Sequence, residues 1–287
     1  MTLPFCVDLE GKTAVVTGGS GVLCGRMAVG LAACGANVAV LGRSHETTDP
    51  VVEEIKADGG RALAVPCNVL DKQSMLDGYR AIKHAFGPCD ILINGAGGNN
   101  PKATTSMEML TANDLEAEEC EADVTTFYGL DVEAVQTVFG INFIGTFLSS
   151  QVFSPDMVAQ GRGTIINISS MSGVRPLTKV SAYSAAKAAT ANFTQWLAVH
   201  LAKAGVRVNA IAPGFFLTKQ NKSLLMTADG GITERGETIV SHTPLGRFGE
   251  PEELLGTLLW LVSPEASGFV TGSVIPVDGG FSAFSGV

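Results

Sequence analysis

Short apolar, β-branched runs alternate with longer helix-like stretches along the whole chain, and few folds accommodate that alternation. Strand-length runs read at 13–17, 37–41, 62–66, 91–93, 164–168, 206–211 and 273–277, and helix-length stretches at 26–34, 50–58, 72–86, 132–158, 182–204 and 251–262. The strand runs are nearly continuous in apolar character, the pattern of strands covered on both faces. Strands separated by helices pair in parallel, because the crossover returns the chain to the same sheet edge. The expected fold class is therefore α/β, a single doubly wound Rossmann domain with a seven-stranded parallel sheet over residues 1–287. No linker rich in Pro, Gly or Ser and no internal repeat divides the chain.

Composition narrows the class of function. At 46% hydrophobic and 16% charged residues, the chain can bury a sizeable core and is not expected to be disordered. Asp plus Glu number 28 against 19 Lys plus Arg, so a formal charge of -9 gives no general attraction for nucleic acid or an anionic membrane. Cys6, Cys24, Cys34, Cys67, Cys89 and Cys120 form no C-x-x-C pair and no metal-ligand spacing, so reduced thiols and no metal are expected. Residues 1–10 lack a basic region followed by an apolar run, which makes the cytoplasm the expected location. Segment 134–155 carries no formal charge over 22 residues, yet Gln136, Asn142, Gln151 and two glycines predict a helix buried in protein, with a subunit contact as one candidate place, over a bilayer span.

Two irregular stretches, 97–131 and 215–243, follow the fourth and sixth strands. Ligands bind beyond the C-terminal ends of parallel strands, so both stretches could border a site. The acidic cluster Asp114, Glu116, Glu118, Glu119, Glu121 and Asp123 in the first reads as a solvated helix face.

The first strand runs straight into Thr17-Gly18-Gly19-Ser20-Gly21 and then a helix. Glycines there let a backbone approach a pyrophosphate at a helix N-terminus, although a tight turn alone also uses them. About 20 residues further on, the second strand ends without the acidic residue that would bond an adenosine ribose. Arg43 stands there, able to donate to a 2′-phosphate, which favours NADP over NAD unless Arg43 is simply a surface residue. Tyr183 and Lys187, four apart, share a helix face, and Ser170 lies just past the fifth strand, so the three can converge at the C-terminal sheet edge.

With these residues in order, the chain resembles the short-chain dehydrogenase/reductase family over essentially its whole length. The matching motifs are the Thr17-Gly18 turn, Asn94-Gly95-Ala96-Gly97, Asn142, then Ser170, Tyr183 and Lys187, then Pro213-Gly214 and Val277-Asp278-Gly279-Gly280. The resemblance implies a catalytic set of Asn142, Ser170, Tyr183 and Lys187. It implies coenzyme contacts from Gly18, Gly19, Ser20, Gly21, Val22, Leu23, Arg43, Asn68, Val69, Asn94, Gly95, Ala96, Gly97, Tyr183, Lys187, Pro213, Gly214 and Phe216. Val22 and Cys24 occupy the last two glycine positions of the family turn, Gly95 replaces the second Asn of the family's N-N-A-G, and Asn68 stands where an Asp is common. The pyrophosphate loop is therefore expected to follow a somewhat different path. The implied chemistry is hydride transfer between nicotinamide and an oxygen-bearing carbon, with Tyr183 exchanging the matching proton. Bringing a phenol from about 10 to about 7 needs roughly 4 kcal/mol. One ammonium about 4 Å away at an effective dielectric near 20 supplies that order of energy, and Lys187, joined by the positive charge of an oxidised nicotinamide, is expected to suffice. By resemblance Ser170 bonds the substrate oxygen and Asn142 holds a water linking Lys187 to solvent.

Stretches 209–221, 241–251 and 279–287, with Gly97-Gly98-Asn99-Asn100-Pro101, look more narrowly like the D-mannonate oxidoreductase (fructuronate reductase) branch. That branch implies a sugar-acid substrate, D-fructuronate or D-mannonate, and the family implies a homo-tetramer or homo-dimer. Such a substrate needs amides and a cation, and Asn99, Asn100, Arg175, Lys219, Gln220 and Asn221 are available, with Arg175 or Lys219 as the candidate carboxylate clamp. His242 reads as a packing or capping residue before a substrate contact. A gluconate-type or other polyol dehydrogenase is the alternative, with a 3-oxoacyl carrier-protein reductase and a non-catalytic dinucleotide binder behind it.

Overall fold

The structure, a computed structural model, describes residues 7–120, 123–218 and 221–286, the side chains at 117–120 and 223–224 excepted. In chain order the elements are β1 (Thr13–Thr17), α1 (Val22–Ala33), β2 (Asn37–Gly42), α2 (His45–Ala57), β3 (Arg61–Pro66), α3 (Lys72–Phe86), β4 (Ile91–Asn94), α4 (Ala112–Cys120) and α5 (Val132–Phe139). A π turn (Gly140–Ile144) leads into α6 (Gly145–Gln160), β5 (Gly163–Ile168), α7 (Ser181–Leu201), β6 (Val206–Pro213), α8 (Lys222–Leu225), α9 (Glu234–Ser241), α10 (Leu255–Val262), α11 (Pro264–Ser267) and β7 (Val274–Val277). The seven strands form one parallel sheet in the order β3-β2-β1-β4-β5-β6-β7. Strand order reverses between β1 and β4, where Thr17 pairs with Asn94, so the segments that leave both strands emerge side by side.

Alternate residues of each strand fill opposite faces. Val16, Val38, Val40, Ile93 and Ile166 pack under α1 and α10, against Met27, Leu31, Leu258 and Leu261. Val15, Ala39, Leu41, Leu92 and Ile165 pack under α3, α6 and α7, against Met75, Ile82, Phe153, Met157 and Leu197. Truncating any of these large side chains to Ala should cost about 2–5 kcal/mol.

The 132–158 stretch is helical but not uniform: five residues around the buried Asn142 take π geometry. Within this turn the Asn142 side chain bonds both the Val138 carbonyl of its own helix and the backbone of Gly98. The run Val132–Gln160 is long and apolar enough by composition to cross a bilayer, yet it lies along the sheet. Its buried Asp156 accepts from Tyr79 and Lys83 of α3, at 2.8 and 2.7 Å.

Stretch 97–131 reaches across to the segment before α7, where the Thr105 amide donates to the Lys179 carbonyl at 3.0 Å. Asp114 of α4 turns back on Thr111 as a cap, and the other described charges of the acidic cluster are exposed, as a solvated helix face should be.

Candidate active site

The site begins where β1 ends. Gly18 adopts φ +65°, and a Cβ there would come within 2.8 Å of the Ala96 amide nitrogen, so the turn and the β4 loop meet backbone to backbone. Thr17 joins them: its hydroxyl donates to the Ile93 carbonyl at 3.3 Å and accepts from the amides of Gly95 and Ala96 at 3.1 and 3.2 Å. Helix α1 starts at Gly21 with no side-chain cap and no acidic residue in its first turn. Its first amides, beside the exposed Ser20 and Gly21, are left to an outside anion. A glycine cradle closed by backbone and an uncapped helix N-terminus suit a dinucleotide pyrophosphate.

Helix α7 carries Tyr183 and Lys187 to the ends of β4 and β5. The Lys187 ammonium is 4% exposed, donates to the Ile168 carbonyl at 2.8 Å and lies 5.6 Å from the Tyr183 ring centre. Ser170, at the other side of the phenol, accepts from the Ser172 amide at 3.2 Å. Asn142 is fully buried: it donates to the carbonyls of Gly98 and Val138 at 2.7 and 2.8 Å and accepts from the Gly98 amide at 3.2 Å. Gly97 sits between the two, since a Cβ there would lie 2.5 Å from Asn142 Oδ1 and 3.3 Å from Lys187 Nζ. All four residues of the expected catalytic set therefore converge beside the glycine turn.

The chain's own groups set the resting electrostatics. Burial raises the Tyr183 phenol above its ordinary range, opposed by its hydrogen bond with Ser170. Burial also lowers the Lys187 ammonium to about 8, with the neighbouring Cys24 thiol acting in the other direction. The chain's own groups thus keep the proton on the phenol at neutral pH. Lys187 does not by itself depress the phenol, because the same burial that brings the pair together disfavours both charged forms.

Other sequence candidates fall into distinct places. Arg43 is exposed beyond β2 and close to the glycine turn, since a Cβ on Gly42 would lie 3.1 Å from Ser20 Oγ. Val22 and Leu23 form the first turn of α1. Asn68 is exposed and accepts from the Leu70 amide at 3.0 Å, while Val69 packs towards Gly145. Gly19 is buried under Val40. Asn94 turns inward, donating to Ser150 at 3.0 Å and Asn167 at 2.8 Å, so the loop after it, and not its side chain, faces the turn. Pro213 is buried at the end of β6, and the Gly214 amide donates to the Val277 carbonyl at 2.9 Å. The Phe216 ring belongs to the core, which leaves only its backbone to a ligand.

Of the substrate candidates, Asn99 donates to Thr104 at 3.0 Å and Asn100 caps the short turn Pro101–Ala103. Asn221 staples its own loop, donating to the Phe216 carbonyl at 2.8 Å. Arg175 is exposed and reaches the Phe284 carbonyl at 3.4 Å. Lys219 and Gln220 lie outside the described residues. His242 bonds the Thr238 carbonyl at 2.7 Å and lies edge-on to Phe284, consistent with a cap.

Sequence reasoning missed two features. A buried polar ladder runs from Asn94 through Asn167 and Thr194 to Thr190, which donates to the Asn142 carbonyl at 3.3 Å. Its members look like ordinary strand and helix residues, and only their burial reveals them. The intramolecular packing of the C-terminal tail is the second, since its Phe281 and Phe284 read from sequence as candidate subunit contacts: Phe281 packs on Phe215 and Phe284 on His242, tying stretch 215–243 to Arg175.

The short chain dehydrogenase family model matches residues 12–228, which include the glycine turn, the β4 loop and Asn142, Ser170, Tyr183 and Lys187. The chain belongs to that family. An uncharacterized oxidoreductase of Bacillus subtilis, UxuB, is 53% identical over 285 residues, covering 99% of this chain and all of the relative. A crystal structure from Haemophilus influenzae, provisionally named a D-mannonate oxidoreductase and holding NAD, is 49% identical with a TM-score of 0.91, covering 98% of each chain. The gluconate 5-dehydrogenase of Gluconobacter oxydans is 32% identical over 282 residues, covering 98% of this chain and 99% of that one. This short-chain dehydrogenase is an NAD(P)-dependent oxidoreductase acting at an alcohol or carbonyl carbon of a small molecule.

Proposed function

We propose that the chain interconverts D-fructuronate and D-mannonate, with Tyr183 as general acid and base. The observation that carries the chemistry is the convergence of Ser170, Tyr183 and Lys187 beside Gly97 and the glycine turn. The sugar-acid substrate is supported by the likeness to the Haemophilus structure along nearly the whole of both chains.

Bound nicotinamide coenzyme supplies the hydride acceptor or donor. It would be held by the turn 18–23, by the loop 95–97 and by the backbone at 213–216. In the reductive direction Ser170 positions the substrate oxygen and the Tyr183 phenol delivers a proton to it. In its charged form the Lys187 ammonium, 5.6 Å from the ring centre, offsets the negative charge left on the phenolate until the phenol is reprotonated from solvent, and Asn142 fixes Gly98 and thereby the loop against which the reacting groups sit. At neutral pH the raised phenol is in the donor form that reduction needs. Arg175 or Lys219 would meet the substrate carboxylate; for Arg175 the reading is supported by an exposed guanidinium whose bond to the Phe284 carbonyl is long, at 3.4 Å.

The protein works as a homo-tetramer or homo-dimer in the cytoplasm, where buried thiols such as Cys24, Cys67 and Cys89 stay reduced. A gluconate-type substrate is the second reading, supported by the Gluconobacter relative. The test compares kcat/KM for D-fructuronate, 5-ketogluconate and a 3-oxoacyl thioester, each with NADPH and NADH. D-fructuronate should exceed the others by at least about tenfold. A clear preference for the ketogluconate or the thioester would overturn the assignment and keep the fold. In the same assay Arg43→Ala should weaken NADPH by about 1.5–3 kcal/mol and leave NADH unchanged. Equal losses would remove Arg43 from the 2′-phosphate.

A further inference from the structure

We infer that Cys24 is a positioning residue for the coenzyme loop, acting through Gly95, and that these two positions form one size-matched pair. Both depart from the family motifs in sequence, and the structure places them against each other. A Cβ on Gly95 would overlap the Cys24 sulfur outright, would lie 3.4 Å from the Cys24 Cβ and would press on the Thr17 carbonyl at 3.0 Å. The space that a larger residue at 95 would take is thus filled from the other side, by a cysteine standing where the family motif has glycine.

The contact joins two parts that must keep register for a dinucleotide to bind. Cys24 sits in the first turn of α1, among the uncapped amides. Gly95 opens the loop whose amides Thr17 holds and whose Gly97 lies between Asn142 and Lys187. The sulfur, 5% exposed, is a wedge between the helix N-terminus and that loop. It acts by volume and not as a nucleophile, since burial holds the thiol up at about 11. Removing the wedge alone loosens the loop, and adding bulk at 95 alone overpacks it. Making both changes fills the same space from the other side and leaves only the tight 3.0 Å approach to the Thr17 carbonyl for the loop to absorb.

The test is a double-substitution cycle read by NADH and NADPH dissociation constants, from nicotinamide fluorescence, alongside Tm. Gly95→Ala should weaken binding by about tenfold and Cys24→Gly by about threefold or more, whereas Cys24→Gly with Gly95→Ala should bind within about threefold of wild type. Cys24→Ser, which keeps a smaller γ atom in the same space, should lose less than Cys24→Gly. If Gly95→Ala does not fold, the double variant should fold and bind, and its failure would overturn the pair. Multiplicative single effects, or unchanged affinity in Cys24→Gly, would equally overturn it, and so would a loss in Cys24→Ser as large as in Cys24→Gly.

Discussion

At the scale of single residues, Lys187 shows the conflict between stability and chemistry most plainly. Its folded pKa of about 8 lies below the ordinary lysine value of 10.5, so burial of the charged form costs roughly 3 kcal/mol below pH 8. From about pH 8 to 10.5 the unfolded chain binds more protons than the folded one, and the cost is relieved as pH rises. Lys187→Met should therefore have a higher Tm than wild type at pH 7, and that gap should narrow through this window. A lower Tm at pH 7 would show that the hydrogen bond to the Ile168 carbonyl outweighs desolvation. The expected catalytic set was legible in sequence because Ser170, Tyr183 and Lys187 have a fixed spacing. Their electrostatics were not, because the burial that raises the phenol and lowers the ammonium is a property of packing.

At the scale of elements, strands were the most legible because each is a short apolar run between turns, and β1 and α3 occupy the expected residues. Helix α3 announces itself through Asp71, whose side chain accepts from the amides of Gln73 and Ser74, and through Gly87 at φ 90° beyond its last residue. Helix α1 begins four residues earlier than its apolar pattern indicates, because its start is uncapped and hidden among glycines. The π turn was invisible, and so was the bond that its Asn142 makes with Gly98, because the partner lies 44 positions away. The tail's contacts within the chain escaped for the same reason, its Phe281 and Phe284 reading only as candidate subunit contacts, and they make a prediction at this scale. Phe281 and Phe284 hold stretch 215–243 and Arg175 together, so a chain ending at Gly280 should raise KM for the carbonyl substrate by about tenfold and weaken NADH by clearly less, through the contact of Phe281 with Phe215. Unaltered KM, or an equal loss of coenzyme affinity, would contradict a role mainly on the substrate side.

At the scale of the whole molecule, one face remains apolar. Ile144, Phe147, Trp196 and Val199 are 47%, 36%, 56% and 80% exposed on the π turn, α6 and α7. Phe147, Phe193, Trp196 and His200 form a continuous row of rings with centres 4.8–6.2 Å apart. A face of this kind is the contact expected of a homo-oligomer. Wild type should elute as a dimer or tetramer in gel filtration, and Trp196→Asp should shift it to a smaller species with its Rossmann fold retained by circular dichroism. A wild-type monomer would contradict this. Above all these details stands the claim that the acidic α/β chain is a reductase whose proton passes through Tyr183. The most direct measurement is loss of nicotinamide absorbance with D-fructuronate for wild type and Tyr183→Phe at matched coenzyme saturation. The variant should bind NADH and NADPH as wild type does and lose turnover by about a thousandfold or more. Comparable turnover in Tyr183→Phe would contradict the account at its centre.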